Sequence, residues 1–391
     1  MAMDFDLSAG DLAFRDELRA WLEAHTPPDV DVAADFREVE ALREWQRTLS
    51  GDRWVGIHWP VEYGGRDATL MQVALYNAEM ARAQAPQILG RAGVNLVGPT
   101  LMTHGTKEQR ARWLSKILDA THIWCQFFSE PGAGSDLAGL STRAERRGDT
   151  YHVTGQKVWS SYAKVADFGI ALVRTDPEAP KHKGISMLAI PLDAPGIDVR
   201  PLRQITGESE FNEVFFDDVP VPAENLIGTE NDGWRVAGTT LANERGTSFV
   251  WKEQVLHEVA RDLLLKRAIA DGHFDDPVVR QKIAQSWIDV ELFCLHNART
   301  LTRLAKGEQI GPESSVVKLF WSEMSQRLAE TAGSILGFDA LVMPEQGGTI
   351  DRGRWARAML WSRAASIAGG TSEIQRNIIA ERILGLPREP R

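Results

Sequence analysis

The spacing of apolar residues changes twice along the chain, near residue 120 and again near residue 230, and few folds accommodate both changes. Before the first change the period is helical. Leu12, Leu18, Trp21 and Leu22 make an apolar stripe that the Thr26-Pro27-Pro28 run ends, and residues 72–84 and 107–118 are further amphipathic stretches. From about residue 123 to 227, short apolar or alternating runs (151–153, 169–173, 185–190, 197–199, 213–216) are divided by turn signals such as Gly148-Asp149, Asp176-Pro177 and Pro195-Gly196. Residues 178–184 read as an exposed hairpin tip. The helical period then returns over 234–257, 278–306, 314–336 and 354–367. The pattern predicts an α+β chain, mostly α: an N-terminal helical domain (1–120), a middle antiparallel β-barrel or sandwich (121–230) and a C-terminal four-helix bundle (231–391).

Charge and composition narrow the function. A formal net charge of −10 argues against a nucleic-acid partner, because phosphate backbones demand a basic face. No apolar run reaches the length of a membrane span. Residues 1–10 carry Asp4 and Asp6 and no apolar core of a signal peptide, so a cytoplasmic location is expected. Cys125 and Cys294 are expected to be reduced and buried, and no Cys/His cluster has metal-ligand spacing. Thirteen tryptophans against four tyrosines suggest large buried aromatic surfaces or flat ligands.

Four stretches could carry chemistry. Ser129-Glu130-Pro131-Gly132-Ala133-Gly134-Ser135-Asp136 follows an apolar run that would deliver it into a tight turn, where backbone and hydroxyls approach a ligand closely. In Gly155-Gln156-Lys157-Val158-Trp159-Ser160-Ser161, a regular strand would put Trp159 and Ser161 on one face, an indole plane beside a hydroxyl. In Leu241-Ala242-Asn243-Glu244-Arg245-Gly246, neighbouring side chains on a helix diverge by roughly 100°, so Glu244 and Arg245 point differently. In Ser366-Ile367-Ala368-Gly369-Gly370-Thr371-Ser372-Glu373-Ile374-Gln375-Arg376, two glycines lead into a helix start, with Ser372 and Gln375 at capping-box spacing. Such a start offers unpaired N–H groups to phosphate or a carbonyl oxygen. Taken singly, each has a plainer reading: a turn, a core tryptophan, a solvated charged turn and an ordinary loop-to-helix junction.

In combination they resemble one family. Trp59-Pro60 with Tyr63-Gly64-Gly65, then Glu130 to Asp136, then Lys157 to Ser161 occur in the order seen in acyl-CoA dehydrogenases. Phe215-Phe216-Asp217-Asp218-Val219-Pro220-Val221-Pro222, Asn225-Leu226-Ile227-Gly228, Gly233-Trp234 and Gly370-Thr371-Ser372-Glu373-Ile374-Gln375 continue that order, and the resemblance covers about residues 10–387. It implies FAD between the β domain and the bundle, and oxidation of an acyl-CoA thioester to the 2-enoyl-CoA. A carboxylate takes the α proton while the β hydride goes to flavin N5. The electrons leave through an electron-transfer flavoprotein or similar acceptor, and the assembly is a homo- or heterotetramer, or a dimer.

Carried over by position, Phe127, Phe128, Ser129, Ser135, Trp159 and Ser161 would line the flavin, and Thr371 and Glu373 the nucleotide portion of FAD. Ser135, Arg245 and Gly370 would serve the acyl-CoA, with the Gly370 amide near the thioester. The commonest position of the catalytic glutamate is occupied here by Gly369, preceded by Ala368 where an aromatic is frequent. A subset of the family places its base directly before the arginine on the first long bundle helix, and Glu244 stands directly before Arg245. Glu244 is therefore the expected base. The usual Arg-x-x-Phe-Gly motif is not recognisable around residues 271–277, and Ser334-Ile335-Leu336-Gly337-Phe338-Asp339-Ala340 replaces a glycine-rich stretch, so cross-subunit FAD contacts are expected either to be rebuilt or to come from a different partner chain. The open Ala368-Gly369-Gly370 stretch suits a bulky, branched or cyclic acyl group. Two alternatives share the fold: a flavin monooxygenase or oxidase, and a non-catalytic subunit of a heterotetrameric dehydrogenase.

Overall fold

The computed structural model describes residues 7–30, 38–244, 248–308, 311–343 and 350–388. In chain order the helices before the sheet are α1 (Ala9–Ala24), α2 (Val39–Gly51), α3 (Leu70–Arg82), α4 (Gly98–His104) and α5 (Lys107–Leu118). The strands are β1 (Trp124–Phe127), β2 (Arg143–Arg147), β3 (Thr150–Ser161), β4 (Phe168–Arg174), β5 (Ile185–Pro191), β6 (Ile197–Leu202), β7 (Phe211–Pro222) and β8 (Leu226–Ile227). The later helices are α6 (Gly233–Glu244), α7 (Ser248–Ala270), α8 (Pro277–Ala305), α9 (Ser314–Leu336), α10 (Arg354–Ala365) and α11 (Ser372–Ile378). The chain is thus mostly helical α+β, with a β domain in the middle. Several helix starts follow local rules: Thr69 and Thr106 each accept the N–H three residues on while a glutamine answers back, a capping box.

Contacts gather the described residues into two compact units. One comprises Met1–His25, Thr69–Gln84 and Thr247–Arg391; the other comprises Thr26–Ala68 and Ala85–Gly246.

In the second unit the strands form one eight-stranded sheet, ordered β6-β7-β3-β2-β4-β5-β8, with β1 pairing β4. Most pairings are antiparallel, as expected, but β1 runs parallel to β4 from Trp124↔Phe168 to Phe127↔Ala171. β2 meets β4 in parallel at Arg143↔Arg174. The intervening β2–β3 hairpin gives the chain length enough to return beside β1 in the same direction, which a tight turn cannot do. The sheet core is apolar and closed to water, with Cys125, Phe127, Val153, Leu188, Ile190 and Val214 all at 0 % exposure. α6 packs on β5 and α4. Gly233 permits that approach, since a Cβ there would stand 2.5 Å from the Ser186 backbone. Thr240 Oγ1 shares a 2.8 Å hydrogen bond with Thr100 Oγ1, and Thr239 Oγ1 lies 2.7 Å from His104 Nε2, so the middle of α6 is tied to α4.

In the first unit α7, α8, α9 and α10 pack in succession, with α11 on α9, α3 on α7 and α1 on α3. Their cores include Leu264, Ile283, Leu328 and Trp355 in one cluster and Phe293, Trp321 and Met324 in another. Arg19 clamps buried Glu79 with two hydrogen bonds of 2.8 and 3.0 Å, tying α1 to α3. The stretch expected as the first bundle helix, 234–257, divides between the units: α6 belongs with the sheet and α7 with the bundle, and residues 245–247 between them lie outside the described residues. Both read as helix locally, and it is long-range contact that assigns them to different units. Both cysteines are free thiols. No described helix is long and apolar enough to cross a membrane.

Candidate active site

In the sheet unit the candidate residues gather around a tight turn. Glu130 and Ala133 exchange backbone hydrogen bonds of 3.1 and 3.0 Å across Pro131-Gly132, leaving both glycines of the motif and Ser135 at the surface. Below the turn, Lys157 Nζ donates to Glu130 Oε1 at 2.8 Å and to the Phe128 carbonyl at 3.1 Å, with both charged side chains buried. Glu130 accepts three further bonds, from Ser141 N at 2.7 Å, Ser141 Oγ at 2.8 Å and Thr142 N at 2.9 Å. Burial opposes the Glu130 charge, but Lys157, Thr142 and Ser141 together outweigh it and hold the carboxyl at about 2. Burial also brings Lys157 down to about 8, against the pull of Glu130. The Phe127 ring is spent in the core, against Gly169 and edge-on to Phe216 at 5.4 Å, so only its backbone is left for a ligand.

The Val158 amide donates to the Ser129 carbonyl at 3.0 Å, and β3 then departs from regularity. Its register against β7 slips by one residue between Lys157 and Ser160, and Trp159 sits in the slip with φ of +61°. The bulge breaks the alternation between buried Lys157 and Trp159, while Trp159 and Ser161 still alternate with buried Ser160. The indole is instead thrown outward, 60 % exposed, and meets the Phe211 ring edge-on at 5.9 Å. Phe211 is the register partner of Ser161, so the indole and that hydroxyl still flank one cross-strand residue.

The C-terminal turn belongs to the other unit. Gly369 and Gly370 take left-handed φ values of +64° and +93°, a conformation that costs little only for glycine. Their carbonyls are held from below: Gln375 Nε2 donates to Gly369 O and Gly370 O at 3.1 and 3.2 Å, and Lys318 Nζ donates to Gly370 O at 2.8 Å. Burial lowers the Lys318 ammonium, with Glu373 working against it. The N-cap is Thr371 and not Ser372: Thr371 Oγ1 accepts from the Ile374 amide at 3.3 Å, while the Ser372 amide turns back to Ser366 O at 2.9 Å. Gln375 is thereby freed from a capping box to hold the glycines. Glu373 is exposed beside Arg376, and its own amide, the Thr371 hydroxyl and Arg376 keep its carboxyl below the usual range.

Profiles of known families match this chain along nearly its whole length. Residues 8–121 match the acyl-CoA dehydrogenase N-terminal domain, 125–219 the middle domain and 231–384 the C-terminal domain. The acyl-CoA dehydrogenase IpdE1 of Mycolicibacterium smegmatis is 41 % identical over 96 % of this chain and 98 % of its own. The chain belongs to the acyl-CoA dehydrogenase family. Among solved structures, a Tcur3481–Tcur3483 steroid acyl-CoA dehydrogenase superposes with a TM-score of 0.87, at 32 % identity over 99 % of this chain and 100 % of that one. The ChsE4–ChsE5 complex from Mycobacterium tuberculosis does so with a TM-score of 0.86, at 30 % identity over 99 % and 100 %.

Acyl-CoA dehydrogenases use FAD, and the sheet side of this one fits a flat cofactor. A large indole exposed on a rigid strand, a hydroxyl beside the same cross-strand partner and glycines with open space above Cα make a shelf rather than a core. Glu244 is the last residue of α6. Its side chain, and the whole of Arg245, lie outside the described residues. At the other end of α6 the surface of this acyl-CoA dehydrogenase carries a shallow, open depression of about 560 Å³. His182 and Trp234 meet there edge-to-face at 4.9 Å, with Lys183, Arg235 and Asp232 around them. The expected exposed tip at 178–184 forms one wall. Sequence reasoning missed the Glu130–Lys157 pair, although a lysine at a strand position that alternation buries was signal enough to ask for its partner. Among the described residues no cluster of His, Cys, Asp or Glu is arranged to hold a metal ion.

Proposed function

We propose that this acyl-CoA dehydrogenase acts on a bulky, branched or ring-bearing acyl-CoA, with Glu244 as the α-proton base. The observation that carries the assignment of the base is the Gly369-Gly370 turn. It has no side chain to accept a proton, and its left-handed backbone is unfavourable for any residue that has one. Glu244 is the carboxylate that the resemblance leaves, at the C-terminal end of a helix held by Thr100 and His104. The Gly370 amide has no acceptor among the described residues, and in this reading it donates to the thioester carbonyl as the α proton leaves. Phe127, Phe128, Ser129, Ser135, Trp159, Ser161, Thr371 and Glu373 would hold FAD, which when bound supplies the hydride acceptor.

The length of α6 supports the same reading. From Trp234 to Glu244 a helix rises roughly 15 Å. The nucleotide end of CoA on the His182–Trp234 depression, its phosphates met by Lys183 and Arg235, would leave the pantetheine arm to run along α6 toward the base. Ser135 and Arg245 complete the substrate contacts. A sterically open Gly369, with no atom within 4 Å of a Cβ placed there, suits a wide acyl group, and two of the similar structures are complexes named by two chains. The working assembly is accordingly read as a tetramer or dimer, with a second family member as the favoured companion and an electron-transfer flavoprotein as acceptor. Domain boundaries near 120 and 230 and a cytoplasmic location complete the proposal.

Anaerobic titration with straight, branched and ring-bearing acyl-CoAs tests it through bleaching of the flavin. Ring-bearing substrates should bleach the parent enzyme. Glu244→Gln should keep its flavin while proton abstraction falls by roughly 10²–10⁴-fold. Near-normal turnover by Glu244→Gln would falsify the assignment of the base.

A further inference from the structure

The buried Glu130–Lys157 pair plays no part in the chemistry above, and it stands where charge is hardest to keep. Its side chains are 4 % and 0 % exposed. A buried ion pair adds little stability over apolar residues of the same size, so stability alone does not account for it. Its geometry offers another reason. Lys157 ties β3 to the Phe128 carbonyl, the next residue ties its amide to the Ser129 carbonyl, and Glu130 ties the same loop to Ser141 and Thr142 at the entry to β2. Three separate backbone segments become one block. The register slip and the left-handed Trp159 follow two residues after Lys157. A tryptophan holds that conformation only where its surroundings over-determine it, and this block is the rigid neighbour on one side of the slip.

We propose that Glu130 and Lys157 are positioning residues for FAD, locking the Phe128–Ser129 backbone and the outward turn of Trp159 into a single preorganised shelf. The inference rests on reading Phe128, Ser129, Trp159 and Ser161 as flavin contacts. Neither charged group touches the cofactor in this account. Both act through the loop and the bulge that they join.

The test removes both charges together, so that no lone charge is left buried. Lys157→Met combined with Glu130→Gln keeps an acceptor for Ser141 and Thr142. The full-length chain is stripped of flavin and titrated with FAD, following flavin fluorescence, the visible spectrum of the bound form and the melting temperature of the apoprotein. The expected result is a Kd for FAD raised about tenfold or more, with a shifted visible band and an apoprotein that melts like the parent. An unchanged Kd and spectrum overturn the proposal. If the double variant does not fold, Glu130→Gln alone is titrated the same way, with the same two readings. Trp159→Phe and Ser161→Ala separate this failure from a wrong site: normal FAD binding in both would defeat the reading of the shelf itself. Loss in those two, with none in the charge variants, would defeat only the positioning role.

Discussion

Two lysines hold two loops in this enzyme, and they do so under different physical conditions. Lys157 donates to Phe128 O from a fully buried position and has a carboxylate beside it, whereas half-buried Lys318 donates to Gly370 O and feels Glu373 only through its field. In the first loop the Pro131-Gly132 turn sets the tip, but Phe128, Ser129 and Glu130 at its base are held by charge, because a buried ammonium and a buried carboxylate must satisfy each other. In the second the shape comes from the backbone, since two glycines already prefer the turn and the lysine adds one hydrogen bond. The two loops should therefore respond to mutation in opposite ways. The first should be sensitive to side chains and the second to backbone.

The largest expected effect falls on the buried pair. Lys157→Met alone strands the Glu130 carboxylate and should cost about 3–5 kcal/mol, read as a lowered urea midpoint. The double variant with Glu130→Gln should recover most of that loss. If the single and double variants were equally destabilised, packing around Lys157 rather than charge would set the shape of this loop, and the contrast with Lys318 would collapse.

A smaller effect follows from acid. The folded-state carboxyl of Glu130 is held at about 2, below its ordinary value of 4.5. Its contribution is fully present above pH 4.5, shrinks as pH falls toward 2 and is gone below that, amounting to about 3 kcal/mol at most. Between pH 4.5 and 2, the parent should therefore lose more stability than Lys157→Met/Glu130→Gln. Parallel stability curves across that window would show that Glu130 is not the charge that matters.

The same contrast explains what could be read from sequence. The helix–sheet–helix order was legible because apolar spacing is a local property, and the two glycines announced a turn because their conformational freedom is local too. The bulge at Trp159 was not legible. It depends on how β3 counts against β7, where Lys157 faces Val214 but Ser160 faces Asn212. Nor could the sequence choose between Thr371 and Ser372 as cap, since either hydroxyl satisfies the local rule and the decision lies with the Ser372–Ser366 bond. That α6 and α7 serve different units was hidden for a related reason. Periodicity records which face is apolar, not which unit it is apolar toward. Glu130 and Lys157, 27 residues apart, pair only once the sheet is built.

The smallest expected effect is at Gly369. A Cβ there meets no atom within 4 Å, so a side chain at this position costs only what its φ of +64° imposes, about 1 kcal/mol. Gly369→Ala and Gly369→Glu should then lose nearly equal stability, because the penalty lies in the backbone and the added carboxylate stands in open space. Thermal melts of the two variants test this directly, and a much larger loss for glutamate would mean that the space is not open. Combining Gly369→Glu with Glu244→Gln carries the question to function. A turn whose shape is fixed by glycine, Gln375 and Lys318 should not put a carboxylate to work at this position, so the double variant should stay inactive in the acyl-CoA titration. Recovered turnover would show that the turn can be reshaped by its side chain, which is the behaviour reserved here for the Lys157 loop.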